Sequence, residues 1–115
     1  MKKFPEFLSS GANRITDDDQ AKAGMDGYLF EGADNVQVVF WQNEQGGESP
    51  PAVHDFWEYA LVVEGSFDGI VDGKEIHLEP GDEVVIPPGT RHSGRYSSGY
   101  RAIDVFSGKR VNRPE

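Results

Sequence analysis

The feature that most constrains this sequence is how often the chain must turn. Its 115 residues include 14 glycines and 7 prolines, which follow no fixed period. The segments between them are short and rich in β-branched and aromatic residues. Asp72-Gly73, which separates two such segments, is typical of a tight β-hairpin. Short strand-like segments joined by frequent turns predict an all-β domain.

About eight strands can be placed along the chain from these segments. They lie at residues 28–30, 36–42, 53–63, 67–71, 74–78, 83–86, 92–96 and 100–106. The polar stretch at 43–51 contains glycine and proline and is predicted to be a loop. Because no linker or internal repeat interrupts the pattern, we expect one domain over residues 1–115. Residues 1–11 would form an N-terminal arm, and residues 107–115 a polar tail that frays.

One short helix is predicted near the N-terminus. Thr16 is a good N-cap, and the three aspartates at 17–19 would lie at the positive end of the helix dipole. The helix would run from Asp17 to about Ala23, and Gly24 would end it. Its role is expected to be structural.

Charge and composition narrow the possible partners. The net charge of −9 disfavours nucleic acid and anionic membranes as partners, because both repel an acidic surface. The chain has no cysteine, so disulfides, thiolate metal sites and thiol nucleophiles are excluded. No segment has the length of a membrane span, and Pro5 and Glu6 interrupt what would be the apolar part of a signal peptide. A cytoplasmic protein is therefore expected.

Three residues have the chemistry of a metal site. His54 and Glu58 are four apart within one predicted strand, so they would share a face if the alternation is unbroken. His92 follows the Pro87-Pro88-Gly89 turn, in a strand that could lie beside them. Two imidazoles and a carboxylate suit one divalent ion and leave positions open for substrate.

Other interpretations of the same residues must be weighed. A single histidine on a strand is more often a surface residue than a ligand, and His77, which shares a face with Glu75, is expected to face solvent. Glu58 differs because it adjoins the apolar run from Tyr59 to Val63, where an unpaired carboxylate is costly. Trp41, Phe56 and Trp57 could line a pocket, although core packing explains them better.

The spacing of these residues resembles the two motifs of the cupin family. The first motif is a glycine, five residues, His-x-His, three or four residues, a glutamate, six residues and a glycine; the second is a glycine, five residues, Pro-x-Gly, two residues, a histidine, three residues and an asparagine. The matches are Gly46, His54, Glu58 and Gly65 for the first motif, and Gly81, Pro87, Gly89 and His92 for the second. Ala52 replaces the first histidine and Tyr96 replaces the asparagine.

The resemblance implies a double-stranded β-helix, the jelly-roll barrel of cupins, that holds one divalent metal ion (iron, manganese, zinc or nickel) through His54, Glu58 and His92. Loss of the histidine at Ala52 leaves at most three of the usual four ligands, which is still sufficient for iron in unrelated oxygenases. A homodimer is also implied.

The function implied is a metal-dependent enzyme that acts on a small oxygenated organic acid or sugar derivative, by dioxygenase, isomerase or lyase chemistry. Tyr96 and Asp104 are candidate catalytic residues, with barrel lining and an outer-sheet position as their respective alternatives. Two other functions are possible: a non-catalytic ligand-binding or sensing cupin, degenerate at the metal site, and a scaffold with no site at all.

Overall fold

Nine strands form two antiparallel sheets. The structure, a computed structural model, describes Phe4 and residues 11–111. The strands are β1 Asp26–Glu31, β2 Gln37–Asn43, β3 Gly47–Ala52, β4 Glu58–Glu64, β5 Phe67–Val71, β6 Lys74–Leu78, β7 Glu83–Ile86, β8 His92–Tyr96 and β9 Tyr100–Phe106. One sheet has the order β1-β2-β9-β4-β7 and the other β3-β8-β5-β6. The architecture confirms the all-β jelly roll.

The core lies between the two sheets because successive strand residues point to opposite faces. In β2, Gln37, Val39 and Trp41 are buried, whereas the residues between them are only partly so. Phe106 from β9 and Val62 from β4 complete the most deeply buried part of this core.

The hairpin between β5 and β6 confirms the strongest turn prediction. Asp72 and Gly73 both have positive φ, 51° and 76°, as a two-residue turn that matches strand twist requires. The bounds of both strands are those that the sequence predicted.

Among the described residues, the one α-helix, α1 (Asp19–Lys22), is shorter than predicted, and two 3₁₀ helices lie at Gly11–Asn13 and Ala33–Asn35. The N-cap of α1 is Asp18, whose side chain accepts a hydrogen bond from the backbone N–H of Gln20, so Thr16 does not cap it. Gly24 follows the helix with φ 108°, as expected of a residue that ends one. Among the described residues, no helix is long and apolar enough to cross a lipid bilayer.

Two predictions between residues 43 and 63 were wrong. The predicted loop contains β3, which carries Pro50 and Pro51; β3 is an edge strand, where the missing N–H groups of proline are tolerated. The predicted strand at 53–63 begins only at Glu58, because residues 53–57 form a loop. His54 and Glu58 are therefore not on one strand.

Both ends of the described chain pack against the five-stranded sheet. Phe4 is buried and its ring meets Phe40 edge to face at 5.3 Å, while the rest of the predicted arm, except Gly11, lies outside the described residues. The tail does not fray over residues 107–111. The side chain of Gln37 accepts hydrogen bonds from the backbone N–H groups of Arg110 and Val111, both at 3.0 Å, and donates one to the Val111 carbonyl at 2.8 Å.

Candidate metal centre

Three different elements bring His54, Glu58 and His92 together. Glu58 is the first residue of β4, His92 is the first residue of β8, and His54 lies in the loop before β4. The backbone N–H of Gly89 donates a hydrogen bond of 2.8 Å to the carbonyl of His54, which ties this loop to the turn before β8. The predicted set is thus assembled through a loop contact rather than through strand alternation.

The distances among the three side chains suit one small cation. Oε1 of Glu58 lies 3.5 Å from Nε2 of His54 and 3.4 Å from Nε2 of His92. One ligand atom from each residue lies within 4.8 Å of the others. Two atoms that each bind a tetrahedral ion at about 2.1 Å are about 3.4 Å apart. The three residues could therefore hold one first-row divalent metal.

The hydrogen bonding of the cluster supports the same interpretation. Nε2 of His54 and Oε1 of Glu58 are buried and have no hydrogen-bond partner among the described residues. Leaving such atoms unpaired costs free energy, so native proteins rarely do it without a ligand or water. A metal ion would satisfy both atoms at once.

The two imidazoles are held in place from behind. Nδ1 of His92 lies 3.0 Å from the carbonyl oxygen of Thr90, which leaves Nε2 to face Glu58. The ring of His54 stacks on Phe56 at 4.8 Å, with an angle of 10° between the planes. Such support of the outer side of a ligand is usual in metal sites.

Burial and neighbouring charges act differently on the three groups. Burial, and then the Arg110 guanidinium, lower the pKa of His54. Burial would lower that of His92, yet its contacts with Glu58 and Thr90 leave the pKa above the ordinary value. Burial would raise the pKa of Glu58, but His92 and Arg110 hold it below the ordinary value. Glu58 is thus an anion ready to bind a cation.

Asp104 lies beside Glu58, and its pKa is shifted in the opposite direction. Its side chain is buried, which excludes the alternative of an outer-sheet surface position. Burial, and then the negative charge of Glu58, raise the pKa of Asp104 well above its ordinary value. Because Glu58 belongs to the group that could hold a metal ion, Asp104 is the carboxyl group of the pair that is left to hold or transfer a proton.

A narrow cavity of about 60 Å³, which has room for a few water-sized groups, opens beside the cluster. Glu58, His92, Asp104 and Arg110 line its polar end. Ala52 also lines it and is the register partner of His92, so the position of the missing histidine faces the cavity. The other walls are mostly apolar, with Gln20, Ser49, Ser93 and Tyr100 as further polar residues; the apolar ones include Phe67, Val71, Ile76, Leu78, Val84 and Ile86.

The structure does not bring Tyr96 to this centre. Tyr96 is buried in the core, its hydroxyl lies 3.5 Å from the side-chain nitrogen of Asn43, and its ring packs on Tyr100 at 5.2 Å. It lies four residues beyond His92 on β8, which corresponds to about 13 Å along a strand. Tyr100, rather than Tyr96, lines the cavity.

Arg110 is the residue of the site that the sequence did not reveal. Its guanidinium lies 5.4 Å from the centre of the Trp41 ring and 4.9 Å from that of Phe106, and Nε pairs with Asp18 at 3.2 Å. The available signal was Gln37, a polar residue in an apolar strand that needed buried partners and finds them at residues 110 and 111.

The structure places the three aromatic candidates and His77 in different environments. Trp41 is buried and lines the cavity, and Phe56 supports His54 as described above. Trp57 is 52% exposed and does not line the cavity. His77 faces solvent as predicted, next to Asp68 and Glu79.

Comparison with known proteins agrees with the fold and the motifs. The sequence profile of the family described as "Cupin domain" matches residues 39–106. A comparison with curated protein sequences gives no match.

Several solved structures resemble the chain. KdgF from Halomonas sp. is 25% identical over 72% of this chain and 77% of its own, with a TM-score of 0.67. An RmlC-like cupin from Shewanella frigidimarina is 24% identical over 90% of this chain and 86% of its own, with a TM-score of 0.72. The DMSP lyase DddQ from Ruegeria pomeroyi is 22% identical over 73% of this chain and 47% of its own, with a TM-score of 0.65.

Proposed function

The chain belongs to the cupin family, and from this membership we propose that it is a metal-dependent enzyme that acts on a small oxygenated organic acid or sugar derivative. The observation that carries the proposal is the buried group of His54, Glu58 and His92, in which two ligand atoms have no other partner. A divalent ion held there would act as a Lewis acid on a carbonyl or carboxylate oxygen.

Arg110 supports an acid as the substrate. It is a cation at the polar end of the cavity, and its ion pair with Asp18 uses only Nε. Its two terminal nitrogens, Nη1 and Nη2, donate no hydrogen bond to another described residue. A planar guanidinium held over two aromatic rings is well suited to bind a carboxylate.

The pair of carboxyl groups supports proton transfer as the chemistry. Burial and the charge of Glu58 raise the pKa of Asp104 while that of Glu58 is lowered, so Asp104 is the member of the pair better suited to hold a proton and to deliver it to a substrate in the cavity. Isomerisation moves a proton within the substrate, and in an elimination a proton donor assists departure of the leaving group, so we favour isomerase or lyase chemistry over dioxygenation. A catalytic role for Tyr96 remains a prediction, and its distance from the cluster gives it no support.

Metal content and oxygen dependence test this proposal. We expect about one divalent ion per chain in protein purified without an affinity tag, and turnover of a small acid without oxygen uptake. Stoichiometric iron together with oxygen uptake would favour a dioxygenase. Protein that binds no added iron, manganese, zinc or nickel would favour the alternative, a ligand-binding or sensing cupin, since Ala52 already removes one usual ligand.

The role of Arg110 can be tested with a matched pair of variants. Arg110→Met should raise the KM for an acid substrate about 10- to 100-fold, the scale of a lost hydrogen bond to a charged group. Lys109→Met removes the neighbouring cation, which is exposed and does not line this cavity. It should leave KM unchanged. Equal effects of the two variants would indicate general charge attraction rather than a carboxylate site.

We also propose a homodimer in the cytoplasm. The outward side of the five-stranded sheet carries half-buried apolar residues, among them Phe40, Leu61, Ile103 and Val105. A second copy would cover these apolar side chains, among which Glu83, the register partner of Leu61, is a charged residue. Light scattering would test it, and a mass of 12.7 kDa at micromolar concentration would contradict it.

A further inference from the structure

The ring of Phe67 lies across two glycines that face each other on neighbouring strands. Gly69 on β5 and Gly94 on β8 are register partners. A Cβ added to Gly69 would lie 2.4 Å from Cε1 of Phe67, and one added to Gly94 would lie 2.4 Å from Cζ of the same ring. Neither glycine has a positive φ, so backbone conformation does not require them. Lack of space requires glycine at both positions, because the added Cβ atoms would also lie 2.9 and 2.7 Å from the carbonyl oxygens of Ser93 and Asp68.

Phe67 lies at the end of the cavity opposite the metal cluster. Its backbone is four residues, or about 13 Å of strand, from Val71, which pairs with His92. Its ring lies over Gly69, which is only two residues, or about 7 Å of strand, from Val71. Tyr100 likewise lies four residues from Asp104 on β9. The centres of the Phe67 and Tyr100 rings are 6.2 Å apart. Both residues line the cavity. Together they separate it from Tyr96 in the core behind.

The glycine pair is informative because glycine in the middle of a strand weakens the strand and often marks a close approach. Here it lets an aromatic ring lie flat on the sheet. A larger residue at either position would push the ring towards the metal cluster and fill the cavity. The pair therefore preserves an open space above Phe67.

We propose that Phe67 is the floor of the substrate cavity and determines its specificity, admitting a short-chain oxygenated acid with an apolar tail rather than a polyhydroxylated sugar acid. The proposal rests on the proposed function for the polar end, where Arg110 and the metal ligands would take the acid group. Ile76, Leu78, Val84 and Ile86 line the walls and offer no hydrogen bond to sugar hydroxyls. Away from the metal cluster, the polar side chains in the lining are those of Gln20, Ser49, Ser93 and Tyr100. The cavity of about 60 Å³ limits the tail to a few carbon atoms.

Binding of unbranched carboxylates, from acetate to octanoate, to the zinc-loaded protein tests this by calorimetry. Affinity should rise about fourfold per added methylene until the tail reaches Phe67, and then fall. Phe67→Ala should move the optimum at least two carbons longer, and Phe67→Leu should move it less while keeping the core apolar. Phe30→Ala, which removes a ring from the outer face of β1, is the control and should leave the optimum unchanged.

An unchanged optimum in Phe67→Ala and Phe67→Leu would overturn the proposal, as would tighter binding of gluconate than of hexanoate by the parent. Xenon uptake gives a readout independent of metal and acid, since enlarged apolar cavities bind xenon. If the parent binds neither zinc nor any carboxylate, the proposed function fails. Phe67→Ala should nevertheless gain a xenon site, and if it gains none the floor itself is disproved.

Discussion

The molecule contains two clusters of histidine and carboxylate with nearly the same distances and opposite surroundings. In the metal centre, His54 and His92 lie 3.4–3.5 Å from Glu58, and their side chains are 15% and 14% exposed. On the β5–β6 hairpin, His77 lies 2.6 Å from Asp68 and 3.5 Å from Glu79, with its side chain 54% exposed. Proximity alone does not distinguish the two.

What distinguishes them is whether the polar atoms already have partners. Nδ1 of His77 is hydrogen-bonded to Asp68, and water reaches the whole cluster. In the buried cluster, Nε2 of His54 and Oε1 of Glu58 have none among the described residues. Buried polar atoms without a hydrogen-bond partner are the better sign of a binding site, because water cannot replace the missing hydrogen bonds there.

The largest expected difference between the clusters is in metal affinity. His92→Ala should weaken zinc binding by more than about 100-fold, because even residues that only orient a ligand contribute about 10- to 100-fold. His77→Ala should leave it unchanged. Calorimetric titration of both variants measures this, and similar affinities for the two would remove the distinction between the clusters.

A smaller effect is expected from restoring the missing ligand. Ala52→His places an imidazole beside His92, its register partner, and should tighten zinc binding by about tenfold or more. Val53→His adds the same group one residue later, at a position that is 55% exposed, and serves as the control. If Ala52→His binds zinc no better than Val53→His, residue 52 does not face the ion.

The smallest effect is in proton binding by the metal-free protein. The hydrogen bond with Asp68 raises the pKa of His77, whereas burial lowers that of His54. NMR titration of the imidazole C–H signals should therefore show His77 above about 6.5 and His54 below it. The unfolded chain protonates His54 more readily, so stability from this group is lost as the pH falls from about 6.5 through the lower folded value. The reverse order of titration would contradict the assignment.

The parts of the fold that the sequence predicted are those set by local chemistry. The Asp72-Gly73 turn and the strands on either side of it agree to the residue. The Pro87-Pro88-Gly89 turn placed His92 correctly at the beginning of β8, whereas the strand predicted at 53–63 put Glu58 in its middle and not at the beginning of β4. The sequence did not predict β3 because Pro50 and Pro51 are typical of a loop. A strand tolerates them here only because it lies at the edge of its sheet.

The features that the sequence did not predict depend on contacts between residues far apart in the chain. Arg110 reaches the site because Gln37, more than seventy residues earlier, holds the backbone of residues 110 and 111. Likewise, the alternation of side chains along β8 was the only evidence that Tyr96 faces the ligands. Tyr96 does lie on the same face of β8 as His92, but the rings of Phe67 and Tyr100 lie between Tyr96 and the metal centre. Neither relation is visible in sequence spacing.

The position of β9 has a consequence for how the protein is made. This last strand in chain order lies in the middle of its sheet, between β2 and β4. During synthesis, β2 and β4 must therefore wait, with unpaired edges, until residue 106 has left the ribosome. A stalled or truncated chain that ends before β9 would expose these edges and aggregate. The barrel is thus expected to fold only after β9 has been synthesised.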